Sequence, residues 1–228
     1  MMKTVSKRDS QGFLDEGIGG PGYSREGVIS RTIRVLLMGG IGSGKSTLAG
    51  FLRQRGALTI NADEVGHEVL EREAHEAVAA RWPSVIEDGA VNRSALAKVV
   101  FNDSRQLREL ESITHPYIAE RIRRAADAAG ERVVVVELPV LLNLPAAGWI
   151  RVAVTAEDDI RLARLVDRGM DEADARSRMA SQPGQDRWVA EADLVVDNSG
   201  PLEGLPSVAD ELLSRIEELT TERVAPSP

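Results

Sequence analysis

The stretch "MGGIGSGKSTLAGFL" (residues 38–52) carries the pattern G-x-x-x-x-G-K-[ST], with Gly39, Gly44, Lys45 and Ser46 at the fixed positions. In such a loop successive backbone N–H groups converge on phosphate oxygens. Glycines at 39, 40, 42 and 44 permit the backbone angles and the close approach this requires. Lys45 would reach the β and γ phosphates, and the Ser46 hydroxyl would ligate Mg²⁺. A glycine-rich turn can match the pattern by chance, so the flanks decide. "TIRVLLMG" before it is a short apolar, β-branched run that reads as a buried strand, and "KSTLAGFLRQR" after it keeps helical spacing until Gly56. Strand, loop and helix together predict a nucleotide-binding P-loop whose following helix turns its positive end to the anion.

Outward from the loop, "ALTINAD" (57–63) reads as a second strand. A region of helices follows from Glu64 to about Ala129, broken at "WPS" and "EDGAVN" and closed by Gly130. "RVVVVEL" (132–138) is continuous and β-branched, as a central parallel strand is, and "WIRVAVTA" is the next strand. Between Asp159 and Gln182 two short helices meet at Gly169, with Asp171 able to cap the second and Asp174 in its first turn. "ADLVVDNSG" supplies a last strand and turn, and an amphipathic helix near 206–220 precedes a flexible tail, 223–228. The alternation predicts an α/β fold with a five-stranded parallel sheet, helices on both faces and ligands at the carboxyl ends of the strands. Residues 31–222 form this domain. Residues 1–30, glycine-rich and polar without a period, are expected to be a mobile leader.

The chain has 228 residues, 43% of them hydrophobic and 28% charged, which suits one substantial globular domain without a membrane span. With no cysteine, disulfides and thiolate zinc sites are excluded. The start "MMKTVSKRDSQGF" has no apolar signal core, so a cytoplasmic location is expected. A formal charge of −8 argues against general nucleic-acid binding, which needs a basic footprint. The loop alone names no reaction. An [NT]-K-x-D segment, needed to read guanine, does not occur, and neither does the L-S-G-G-Q signature of transporter ATPases. Small-molecule kinases remain the leading class.

Several further residues have a chemical and a structural reading. Asp63, ending the second strand, can orient an acceptor hydroxyl and take its proton, or it can cap the next helix. Glu137 can hold a water of the Mg²⁺ shell, or it can simply be a polar residue leaving a strand. Arg161, Arg164 and Arg168 share one helix face, with Arg176 and Arg178 on the next helix. They can form a solvated face or a lid that clamps the transferring phosphoryl group, a reading favoured mainly for Arg164. His67 and His75 lie in polar helical sequence, and Trp82, Trp149 and Trp188 read as packing residues.

"LLMGGIGSGKSTLAGFLRQRGALTINADEV", "VNRSALAKVVF", "LESITHPYIAERI", "VVVVELPVLL" and "RLARLVDRG … RMASQ … ADLVVDNSG" together resemble the dephospho-coenzyme A kinase family, from about Arg34 to Asp210. The resemblance implies a P-loop kinase with a helical substrate-binding region (64–129) and a helical lid (157–187). It implies Mg-ATP phosphorylating the ribose 3′-hydroxyl of dephospho-coenzyme A, with ATP on Gly39, Gly40, Ile41, Gly42, Ser43, Gly44, Lys45, Ser46 and Thr47. On the same resemblance Asp63 is the catalytic aspartate, Arg164 the lid arginine on the ATP phosphates, Arg93 and His115 substrate-side residues, and Asn198 the residue beside adenine. Three positions depart from the family pattern. Asn61 replaces the first aspartate of D-A-D, His67 stands where an arginine is usual, and Asn143 replaces a glutamate. They keep open a kinase for another hydroxyl acceptor, such as a nucleoside, nucleotide or sugar, and a nucleotide-binding regulatory protein without turnover.

Overall fold

The computed structural model describes residues 5–7, 32–130, 132–138 and 148–224. Most of the expected leader, the end of the tail and Asn143 lie outside these residues. The chain runs β1 (Val5–Lys7), β2 (Ile33–Met38), α1 (Lys45–Gln54), β3 (Leu58–Asn61), α2 (Ala62–Glu71), α3 (His75–Arg81), β4 (Ile86–Glu87), β5 (Ala90–Val91) and α4 (Arg93–Val100). It continues through α5 (Ser104–Asp127), β6 (Val133–Glu137), β7 (Ile150–Thr155), α6 (Asp158–Asp167), α7 (Glu172–Ala180), α8 (Gln185–Glu191), β8 (Leu194–Asp197) and α9 (Leu205–Val224).

The main sheet has the order β1-β8-β7-β2-β6-β3, and every pairing is parallel except that of β1 with β8. The P-loop strand β2 therefore sits between β6 and β7, although β3 follows it in sequence. This order opens a crevice beyond the carboxyl ends of the strands. Register sharpens it. Leu37 and Asn61 both pair with Glu137, so β2, β6 and β3 end side by side.

Strands buried on both faces explain the apolar runs that named them. Val35 and Leu37 point into a core with Leu48 and Leu52 of α1 and Leu212 and Ile216 of α9. Leu36 and Met38 point into a second core with Val69, Val78, Ile118 and Ile122 of the helical region and Trp188 of α8. Helices thus cover both faces, as the alternation of elements requires.

Two features differ from the sequence reading. Val5–Lys7, within the stretch expected to be mobile, adds an antiparallel edge strand to β8. "EDGAVN" is more than a break between helices: β4 and β5 form a hairpin turned at Asp88 (φ 50) and Gly89 (φ 80). Between α6 and α7, Gly169 adopts φ 87 and the Asp171 side chain accepts from the N–H groups of Ala173 and Asp174, as the capping reading predicts. Trp82 is buried and its indole N–H donates to Gln106 at 2.8 Å, which agrees with a packing role.

Candidate active site

Helix α1 opens on Gly44 in a left-handed conformation (φ 92) with no side-chain cap, so the first N–H groups of the helix lack helical partners. These groups face the end of the P-loop. A Cβ on Gly44 would strike the Asn198 amide, so glycine is required here by conformation and by space.

The loop's carbonyls are tied from outside. Asn198, 3% exposed, donates its Nδ2 to the Ser43 carbonyl at 2.8 Å. Arg164 donates to the Asn198 carbonyl at 2.8 Å and reaches the carbonyls of Gly42 and Ser43 at 3.5 Å. Arg161 Nε donates to the Ile41 carbonyl at 2.9 Å, and the Ile41 N–H donates to Gln182 Oε1 at 2.7 Å. Lys45 Nζ donates to the carbonyls of Gly39 and Gly40 at 2.6 and 3.3 Å.

Two cavities flank the loop. One, of about 640 Å³, is lined by Ile41, Lys45, Ser46, Asp63, His115 and Glu137 among others, with an apolar wall that includes Leu70, Phe101, Leu107 and Leu110. The other, of about 440 Å³, is lined by Gly44, Thr47, Arg164, Arg168, Asn198 and Leu202 among others. Burial pushes the Lys45 ammonium down to about 8, against the opposing pull of the Glu137 and Asp63 carboxylates. Burial also lowers Arg164, with the like charge of Arg168 adding to the effect. His115 is lowered by burial, partly offset by Glu111.

Several expected residues meet at the first cavity: Lys45, Ser46, Asp63, His115 and Glu137. Asp63 does not cap α2. Asn61 does, its Oδ1 accepting from the Asp63 N–H at 2.9 Å, which leaves the Asp63 carboxylate exposed to the cavity. Arg93 opens α4 as an exposed residue and lines neither cavity. Asn198 lines the second cavity, but its amide group bonds to the loop.

The five arginines separate into different tasks. Arg176 pairs with Glu172 on the exposed surface, Arg178 lines the first cavity, and Arg164 and Arg168 line the second. Arg161, 5% exposed and bonded to Ile41 and Asp158, is committed to the loop rather than free to clamp a phosphoryl group. Sequence reasoning missed it and Gln182 as loop partners. Their only signal was position, since Arg161 shares a helix face with Arg164 and Gln182 ends the run "RMASQ".

For Mg²⁺ the donor set is a hydroxyl, Ser46, with the carboxylates of Asp63 and Glu137 on the same cavity. These hard oxygen donors fit a cation that keeps several waters and arrives with phosphates. Among the described residues no cluster of three or more His, Asp or Glu side chains forms a protein-built metal site, and no helix is long and apolar enough to cross a membrane.

The CoaE dephospho-CoA kinase family profile matches residues 33–203. A dephospho-CoA kinase of Corynebacterium efficiens is 41% identical over 194 residues, covering 81% of this chain and 97% of the relative. One from Syntrophotalea carbinolica is 38% identical over 190 residues, covering 79% and 90%. Among solved structures, a Thermus thermophilus protein superposes with a TM-score of 0.70 at 27% identity, covering 81% of this chain and 97% of its own. A Campylobacter jejuni dephospho-CoA kinase shares the fold with a TM-score of 0.57 at 21% identity, covering 81% and 97%. The phosphate-loop residues, Asp63, Glu137, Arg161 and Arg164 lie within the matched span, and the chain belongs to the dephospho-CoA kinase family.

Proposed function

We propose that the protein transfers the γ-phosphoryl group of Mg-ATP to the ribose 3′-hydroxyl of dephospho-coenzyme A, giving coenzyme A and ADP. The observation that carries the reading is the meeting of Lys45, Ser46, Asp63 and Glu137 on one cavity, with a second cavity across the loop. Two substrates need two pockets with a phosphate cradle between them.

ATP takes the cavity lined by Thr47, Arg164, Arg168 and Asn198, with its phosphates on residues 39–47. The acceptor takes the larger one, where apolar side chains suit its long arm and Arg178 its anionic part. Asp63 orients the 3′-hydroxyl and accepts its proton as the new P–O bond forms and the β–γ bridge breaks. Lys45 and Arg164 stabilise the charge that passes to the leaving ADP. Ser46 and, through a water, Glu137 would hold Mg²⁺, which when bound would supply charge neutralisation on the phosphates. His115 stands on the acceptor side of the same cavity. Such a site does little covalent chemistry of its own, and most of its rate comes from positioning.

A second reading is a kinase for another hydroxyl acceptor. It is favoured by Asn61 and His67, family departures that both line the acceptor cavity. A regulatory protein without turnover is disfavoured by the retained Asp63 carboxylate.

The test is ADP release with Mg-ATP, comparing dephospho-coenzyme A with nucleosides, nucleotides, sugars and no acceptor. Release dependent on dephospho-coenzyme A, with coenzyme A as product, upholds the proposal. Release with a different acceptor supports the second reading, and ATP binding without release to any acceptor supports the regulatory one.

A further inference from the structure

We propose that Arg161 and Gln182 are positioning residues that set the backbone of the P-loop for ATP, so that the lid region templates the loop as well as standing beside it. The inference rests on the nucleotide reading of the loop given above.

Ile41 is held at both of its polar ends by residues far along the chain. Its N–H donates to Gln182 Oε1 at 2.7 Å and its carbonyl accepts from Arg161 Nε at 2.9 Å. In a trans peptide the C=O and N–H vectors oppose each other. Holding the Ile41 carbonyl toward Arg161 therefore turns the Gly42 N–H the other way, toward the side where a P-loop gathers its donors.

The same reasoning applies one peptide earlier. Drawing the Ile41 N–H to Gln182 turns the Gly40 carbonyl in the opposite direction, where it accepts from the Ser43 N–H at 3.2 Å and from Lys45 Nζ at 3.3 Å. One glutamine thus orients a loop turn and the second of the two carbonyls on which the phosphate-facing lysine rests.

Arg161 is fitted into the loop closely. Asp158 Oδ1 accepts from its Nη1 at 2.9 Å, which anchors the guanidinium. A Cβ on Gly40 would lie 2.5 Å from Arg161 Nη2, and one on Gly42 would lie 2.7 Å from the Arg161 carbonyl. Gly40 has no left-handed backbone angle, so its lack of a side chain serves the arginine and not a turn. Part of the glycine pattern is accordingly written by the lid helix.

The experiment measures ATP affinity by titration calorimetry without acceptor, then KM for each substrate, on the full chain. Gln182→Met keeps side-chain length and removes the acceptor for the Ile41 N–H. It is expected to weaken ATP binding at least about fivefold, the cost of an unsatisfied donor, and to raise KM for ATP more than KM for dephospho-coenzyme A, whose cavity Gln182 also lines.

Gly40→Ala, which pushes the guanidinium away, is expected to weaken ATP binding similarly. In an Arg161→Ala background, where only Gln182 Oε1 at 3.3 Å stays close to the added methyl, Gly40→Ala should cost much less than in the wild type. Gln182→Met stands as an independent probe if the buried arginine cannot be removed without unfolding.

Wild-type ATP affinity in folded Gln182→Met and Gly40→Ala overturns the inference. So does a rise confined to KM for dephospho-coenzyme A, which would make Gln182 an acceptor contact. An unmodified protein that binds no ATP overturns the nucleotide reading itself, and this inference with it.

Discussion

Asn61 and Asp63 divide two tasks that one aspartate could perform after a strand. Asn61 caps α2, and the Asp63 carboxylate is left for chemistry. Asp63→Asn should therefore leave melting temperature and ATP affinity in place while cutting turnover by roughly 10²-fold or more, the range of a general base. A steady-state assay beside a thermal melt checks both halves. Asn61→Ala should do the reverse, lowering stability by about 1 kcal/mol. His115 gives a pH signature. Burial lowers its imidazole, opposed by Glu111, while Asp63, His67, Glu137, Lys45 and Arg178 line the same cavity. The unfolded chain takes up this proton first, near its ordinary value of about 6.5. The stability His115 contributes is thus full above that value and is lost as pH falls through the lower folded-state value. Melts of the wild type and His115→Gln should diverge in that direction, the variant losing less as the solution is acidified. The sequence displayed the loop residues and Asp63 because their spacing is local. Which residue capped α2 depended on side-chain direction, and Arg93, exposed at the start of α4, lines neither cavity.

Most elements that declare themselves through short-range chemistry were legible. The strand before the P-loop, the helix after it, the break at Gly169 and the cap at Asp171 each follow from a few neighbouring residues. Removing that cap by Asp171→Ala should lower stability by about 1 kcal/mol, seen as a lower denaturation midpoint with an unchanged slope. The hairpin of β4 and β5 escaped because strands of two residues are too short to show alternation. Its Asp-Gly turn was its only local mark, and the His75 ring beside the Gly89 carbonyl at 2.9 Å adds a tertiary contact. The role of the lid helices was half visible. Their arginine spacing was plain, but whether each arginine met solvent, a cavity or the loop depended on how α6 lies across the chain from residue 41.

At the scale of the whole molecule, strand order and register bring together side chains from three strand ends, something no single segment of sequence could announce. The edge strand β1 belongs to the same class, since its three pairs with β8 are defined by tertiary contact. Deleting residues 1–30 should lower the melting temperature, because it removes the backbone pairing of β1 with β8. It should also uncover the β8 edge, so light scattering should show more concentration-dependent association than the full chain gives. The catalytic parameters should hold. Strand β2 sends alternate side chains into the two cores, Val35 and Leu37 to one and Leu36 and Met38 to the other. Neither face of the sheet can melt without loosening the strand that carries the phosphate loop. In deuterated solvent the amides of β2 should accordingly be among the last to take up label, opening only with the entire domain, while those of the lid helices exchange through smaller excursions. The loop would then keep its anchorage on β2 through such excursions and lose only the Arg161 and Gln182 ties that the opening helices supply.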